Sequence, residues 1–358
     1  MNKKGVTVNK TILFMLLMIM VVLAGCSGVR TKSVEAPELK IMTHDSFAVS
    51  ESIIRQFEEQ YDVKVVFSKS GDTGSLLNRA ILTSAAPEAD VLYGIDNTYL
   101  SRALEADIFQ VYRSPLLDKV SKEFILDKSH HVTPVDYGDV CINYDRQFFI
   151  SHELGVPQDL NDLTQAKYKG LLVVENPAIS SPGLAFLLAT ISRFGEEGYL
   201  EYWRNLKTNG LVVVNDWSTA YYTNFSASSG KGLQPMVVSY NTSPAAEVYF
   251  ASTPVTEPPT AAITSPSTCF RQIEFTAILK GSARQDLAGK FIDFMLSTSF
   301  QEDIPLQMFM FPILPDASLP QVYRDYVTIA DRPASLSPDL IAENRDRWIQ
   351  DWTGVVLR

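Results

Sequence analysis

The chain has 358 residues, 46% hydrophobic and 20% charged, with Lys+Arg 31 against Asp+Glu 41 and a formal charge of -10. That length is enough for two packed lobes with real cores, and Gly 18 and Pro 19 are too few for a collagenous or low-complexity chain. The acidic balance argues against nucleic acid, whose phosphates need a basic face, and suits a cationic small ligand.

Lys3, Lys4 and Lys10 precede an apolar run from Ile12 to Gly25. The run is shorter than the ~20 residues of a transmembrane helix, so residues 1–26 read as an export signal. It ends in Leu23-Ala24-Gly25-Cys26, small residues before a Cys, which resembles a bacterial lipoprotein cleavage site. Cys26 is then the expected lipid anchor, residues 27–38 a polar tether, and the body an extracytoplasmic protein held at a bacterial membrane. Cys141 and Cys269 remain, and the sequence leaves open whether they pair or stay as buried thiols.

Along the chain, Leu39 to Thr43 reads as a strand and is followed by a helix with Val49, Ile53, Ile54 and Phe57 on one face. Val63 to Phe67 is a second strand, Gly71 to Ser75 a turn opening a helix near Leu76, and Asp90 to Tyr93 a third strand. This alternation predicts a parallel sheet flanked by helices, with ligands at the carboxyl ends of the strands. Further strands are expected at 140–144, 171–174, 211–214, 236–240 and 273–279, and helices at 184–191, 288–296 and 342–356. Val255 to Pro266 reads as a connection, and Trp348 and Trp352, four residues apart, read as packing.

No Gly-x-Ser-x-Gly elbow, Walker loop, His-Glu-x-x-His or Cys-x-x-Cys is present, and His is scarce. The strand-end loops instead carry aromatics, namely Trp217, Tyr221, Tyr240 and later Phe309. They also carry small polar residues, among them Thr73, Ser180, Ser181, Thr242 and Ser243, and carboxylates such as Asp45 and Asp72. Aromatics with carboxylates favour a flat organic cation, while hydroxyls at helix starts suit a hydroxyl or phosphate.

Several stretches carry a resemblance to a known family. They include Asp45-Ser46-Phe47, Ser75-Leu76-Leu77-Asn78-Arg79, Pro134-Val135-Asp136-Tyr137-Gly138 and Ser181-Pro182-Gly183-Leu184. The most specific are Trp217-Ser218-Thr219-Ala220-Tyr221 and Ser239-Tyr240-Asn241-Thr242-Ser243-Pro244-Ala245. In these the chain resembles the periplasmic thiamine-binding proteins of ABC importers, over nearly all of its mature length. The resemblance implies an α/β, two-lobed type II periplasmic-binding-protein fold, each lobe a mixed sheet flanked by helices, with the ligand cleft between lobes. It implies a lobe from 39–135 with 265–308 and another from 136–264 with 309–358. The implied ligand is thiamine, a thiamine phosphate or a related pyrimidine, and the implied partner a membrane ABC permease. No cofactor, resident metal or catalysis is expected, and a monomer is.

By the same resemblance Asp72 and Thr73 touch ligand from the first lobe. Ser180 and Ser181 touch its hydroxyethyl or phosphate end, Trp217 and Tyr240 pack on its rings, and Asn241, Thr242 and Ser243 lie beside them. Asp45 is the carboxylate assigned to the thiazolium or aminopyrimidine. The chain departs from the pattern at His44, where a Tyr is expected, at Thr73 for Gly, and at Phe309-Met310-Phe311-Pro312 for Trp-Met-Tyr-Pro. Two alternatives follow from the residues. One is a ferric-ion binder, for which Tyr221-Tyr222 is the adjacent tyrosine pair; the other is a secreted hydrolase using Cys141 or Cys269.

Overall fold

In the computed structural model the described residues are 36–229, 231–330 and 332–358; the export signal and Cys26 lie outside them. The chain alternates as read, through β1 (Glu38–Thr43), α1 (Glu51–Tyr61), β2 (Lys64–Lys69), α2 (Thr73–Leu82) and β3 (Val91–Asp96). β1 pairs in parallel with both β2 and β3. The apolar stripe of α1 buries Ile54 and Phe57 against this wing, and α1 stops where Asp62 turns left-handed at φ 48.

After the short β4 (Phe109–Gln110) comes the long β5 (Thr133–Asp145). A second parallel set follows, with β6 (Leu172–Glu175), α3 (Ser181–Thr208), β7 (Val212–Val214) and β8 (Met236–Tyr240). Then come α4 (Ser243–Tyr249), β9 (Thr260–Ile263), β10 (Phe270–Leu279), α5 (Gln285–Met295), α6 (Thr298–Gln307), β11 (Phe311–Pro312) and α7 (Pro338–Val356). The sheet order is β2-β1-β3-β10-β5-β8-β6-β7. Two parallel wings are thus joined through β10 and β5. The first half of β5 pairs antiparallel with β10, and its second half with β8 and β9.

The strand–helix rhythm predicted a parallel sheet, and the centre is antiparallel instead. The rhythm reports local crossovers, whereas β5 and β10 meet through contacts more than a hundred positions apart. The 255–266 connection contains β9, because its Thr-Ala-Ala-Ile run completes the edge of β5. α3 runs well past the expected 184–191 and is broken at Gly195, whose φ is 72. Trp348 and Trp352 are fully buried as packing, with Trp352 edge-on to Trp203 at 5.4 Å.

Cys141 and Cys269 form a disulfide, their Cα atoms 4.3 Å apart, beside the ladder step that pairs Phe270 with Val140. Arg271 makes a two-pronged ion pair with Asp139 at 2.8 and 3.0 Å across the same two strands. The linking strands are therefore fastened to each other by covalent and ionic contacts.

Candidate functional site

A cavity of about 330 Å³ opens between the loops at the carboxyl ends of the two parallel wings. The first wing contributes His44, Asp45 and Ser46 after β1, and Asp72 and Thr73 at the start of α2. The second contributes Ser181 at the start of α3, Trp217 and Tyr221 after β7, and Tyr240, Thr242 and Ser243 around the end of β8. Phe309, held at φ 53, closes one side with Met308 and Met310.

Eleven of the thirteen residues expected at a ligand are therefore brought together. Ser180 and Asn241 do not line the cavity. Ser180 is buried beside Asp72. Asn241 braces the backbone instead, donating from Nδ2 to the Thr328 carbonyl at 3.0 Å and accepting from the Asp139 amide.

The aromatic wall is built on itself. Trp217 stacks on Tyr221 with centroids 5.1 Å apart and planes at 16°, and Tyr222 stands edge-on to it. Nε1 of Trp217 donates to Ser239 Oγ at 2.9 Å, and Tyr221 Oη donates to Glu247 at 2.7 Å. The ring orientation is thus fixed before a ligand arrives. At the mouth, Phe250 packs against Phe309 at 5.3 Å and remains 67% exposed, as Tyr222 does at 57%.

The floor contains residues that the sequence reading missed. Gln272 and Glu274, two apart on β10, face the cavity together. Their signal was a Gln and a Glu on one face of a strand that is otherwise apolar. His44 Nε2 lies 3.4 Å from Glu274 Oε1. Burial alone would lower the His44 pKa, but Glu274, with Asp72 and Asp96 behind it, holds it above the ordinary histidine value. Burial likewise opposes ionisation of Glu274, yet His44 and its hydrogen bonds hold its carboxyl below the usual range.

The Tyr93 hydroxyl sits between Glu274 Oε2, at 2.8 Å, and Asp136 Oδ2. One phenolic proton serves only one of them. Burial and repulsion from Glu274 push the Asp136 carboxyl well above the carboxylate range. Gly94 makes room for this cluster: its φ is +100, and a Cβ there would lie 2.2 Å from His44 Cδ2.

Among the described residues four hydrogen bonds join the loops of the two wings, one of them from the Tyr99 hydroxyl to the Pro177 carbonyl at 3.3 Å. Ser181 Oγ donates to Asp96, the Trp217 amide donates to Asp72 Oδ2 at 3.3 Å, and the Gly74 amide donates to the Ile179 carbonyl at 3.1 Å. Asp96 is fully buried, which pushes its pKa up to about 6 against the pull of Ser181 and Thr98. Burial raises Asp72 as well.

The alternatives meet physical obstacles here. A ferric site needs tyrosine oxygens free to ligate, and the Tyr221 hydroxyl is donated to Glu247 at 2.7 Å. A cysteine nucleophile needs a free thiolate, and Cys141 and Cys269 are bonded to each other. Among the described residues no group of three or more His, Cys, Asp or Glu is arranged to hold a metal ion.

Comparison with known proteins matches residues 86–329 to the family described as bacterial extracellular solute-binding protein. A thiamine-binding periplasmic protein of Brucella suis is 31% identical over 89% of this chain and 92% of its own length. A solved periplasmic thiamin binding protein superposes with a TM-score of 0.80 at 27% identity, covering 91% of this chain and 98% of that one. A ferric binding protein from Campylobacter jejuni gives a TM-score of 0.73 at 20% identity, over 88% and 99% of the two chains, and shares the fold.

Proposed function

This chain belongs to the bacterial extracellular solute-binding proteins, and on that footing we propose that it captures thiamine outside the cytoplasmic membrane and delivers it to an ABC permease. The observation that carries the ligand class is the cavity itself. Its walls are stacked aromatics, its ionisable lining is three carboxylates and one histidine, and no Lys or Arg lines it among the described residues. A flat ring cation is stabilised there by cation–π attraction and by Glu274, while an anionic ligand is repelled by the lining carboxylates Asp45, Asp72 and Glu274. The Brucella suis relative and the superposed structure, both thiamine-binding by name, support the same choice.

The work of the protein is binding and release. Lobes of 39–135 with 265–308 and of 136–264 with 309–358 close over the ligand about β5 and β10, the strands linking the wings. A ligand that touches both lobes only when they are closed shifts the population to that form, which docks on the permease. Cys26 carries the lipid anchor that keeps a monomeric carrier beside its permease.

The direct test is isothermal titration of refolded, ligand-stripped mature protein with thiamine at pH 7.5. Tight one-to-one binding is expected. A folded protein that gives no heat and no fluorescence change with thiamine rejects this reading.

A further inference from the structure

We propose that ligand capture expels a proton: the fixed charge of a thiazolium replaces the imidazolium of His44 as the cation facing Glu274, so that binding and proton release are one event. This rests on the thiamine reading and adds a proton coupling to it.

His44 and Glu274 reach the cavity from different elements, the loop after β1 and the strand β10. The imidazole is wedged against β3, since a Cβ on Gly94 would lie 2.2 Å from its Cδ2. Its Nε2 is buried, makes no hydrogen bond among the described residues, and stands 3.4 Å from Glu274 Oε1. A charge-assisted hydrogen bond is about 2.7–2.9 Å long, so this pair is held by charge rather than by a shared proton. Glu274 also has neutral donors. The Tyr93 hydroxyl donates to Oε2 at 2.8 Å, and Gln272 Nε2 donates to Oε1 at 3.4 Å. The carboxylate therefore stays hydrogen-bonded whichever cation faces it.

The charged groups around His44 are acidic. Besides Glu274 they are Asp72 at the start of α2, Asp96 at the end of β3, and Asp45 in the same loop, whose Oδ1 accepts from the Gly71 amide at 2.8 Å. Asp136 on β5 stands behind Tyr93, and Lys69 turns its Nζ to the Asp45 carbonyl on the exposed side. Tyr93 on β3 and Tyr240 on β8 are pushed by burial well above their ordinary pKa and stay neutral. Burial opposes a charge on the His44 ring, yet Glu274, Asp72 and Asp96 hold its pKa above the ordinary histidine value, so at pH 6.5 more than half of the ligand-free chains carry the imidazolium. A ring cation entering a cavity of about 330 Å³ meets that charge at close quarters, and two cations compete for one Glu274 carboxylate. The thiazolium nitrogen is quaternary and keeps its charge. His44 gives up its proton to the buffer base through the cavity it lines, and the charge of the site is unchanged. The family resemblance expects Tyr at this position, so the exchangeable proton comes with this chain's own His44.

The experiment titrates the folded mature chain with thiamine at pH 6.5 in phosphate and in bis-tris, whose ionisation enthalpies differ, and then at pH 6 and pH 8. The difference in heat is expected to report release of about half a proton or more, and the affinity to be at least threefold tighter at pH 8 than at pH 6. Thiamine that binds with equal heat in the two buffers overturns the inference while leaving thiamine capture intact. Failure of thiamine itself to bind rejects the underlying reading and the inference with it. His44→Gln removes the titrating ring, and proton release is expected to fall at least threefold. A smaller fall in the folded variant assigns the proton to Asp72 or Asp96 and overturns the role of His44. Glu274→Gln is the second variant, for use if His44→Gln does not fold. Without that counter-charge, burial strips the ring of its proton before the ligand arrives, and release is expected to fall at least twofold. A smaller fall in folded Glu274→Gln overturns the exchange equally.

Discussion

Trp217→Ala isolates a single interaction unusually well. The Trp217 amide that donates to Asp72 is backbone and survives the substitution. Ser239, which loses the Nε1 donor, keeps Ser243 Oγ at 2.9 Å, and Tyr221 keeps Glu247. What disappears is the ring face that Tyr221 backs on one side and the cavity borders on the other. An aromatic pair contributes about 0.5–1.5 kcal/mol and a desolvated cation–π contact about 2. The expected loss is about 2–3 kcal/mol, or roughly 30- to 150-fold in Kd for thiamine. Titration calorimetry reads the affinity, and fluorescence supplies a second check. The other three tryptophans, Trp203, Trp348 and Trp352, are at most 1% exposed and lie away from the cavity, so ligand quenching should vanish with Trp217. A Kd within twofold of the parent, or quenching that persists in the variant, refutes the reasoning.

Other outcomes follow from the same structure. Replacing Cys141 and Cys269 together by Ala opens a loop of 128 residues and removes about 5 kcal/mol in the chain-entropy account, so Tm should fall by about 7 °C; a fall under 2 °C contradicts this. Stability of the ligand-free protein should rise as pH falls from 8 to about 5. Asp96, shifted up to about 6 by burial, binds its proton more tightly when folded and contributes up to about 3 kcal/mol below pH 4 that is lost as pH rises through 6. His44, also raised, contributes stability below pH 6.5 that is lost above its folded pKa, and Glu274, which is lowered, acts oppositely only in acid. A urea midpoint that falls from pH 8 to pH 5 would reverse that sign. Gly94→Ala should cost at least about 2 kcal/mol, from a positive φ and a Cβ driven into His44, and should weaken thiamine binding; an unperturbed urea midpoint would show that His44 can move aside.

The parts of the site that sequence revealed are those written in local grammar. A strand, a polar loop and a helix start place His44-Asp45-Ser46, Asp72-Thr73 and Ser181 at carboxyl ends of strands without knowledge of their partners. The parts it hid depend on pairing at a distance. Glu274 meets His44 across 230 positions and sits in a strand whose apolar pattern reads as core. Asn241 looks like a ligand contact because it is polar and ends a strand, yet its side chain is used to pin the 328 carbonyl and the Asp139 amide. Phe250 gave no signal either, since an exposed aromatic beside a short helix is common until the mouth of a cavity is seen around it.

The position of Glu274 has a consequence for how closure works. β10 and β5 are tied by the disulfide and by Arg271 with Asp139, so the floor formed by Gln272 and Glu274 belongs to the connection between the wings. A contact made equally in open and closed forms adds affinity but cannot shift the balance between them. Contacts from the wing loops, with Trp217 and Ser181 on one side and Asp72 on the other, are made together only when those loops meet. Glu274→Gln should therefore weaken thiamine about tenfold, ~1.4 kcal/mol, from lost charge, while saturating ligand still compacts the protein fully. Trp217→Ala should reduce the compaction itself at saturation. Small-angle scattering with and without excess thiamine separates the two. If both variants compact alike, or if Glu274→Gln alone fails to close, the floor is not a passive platform and the division of labour between linking strands and loops is wrong.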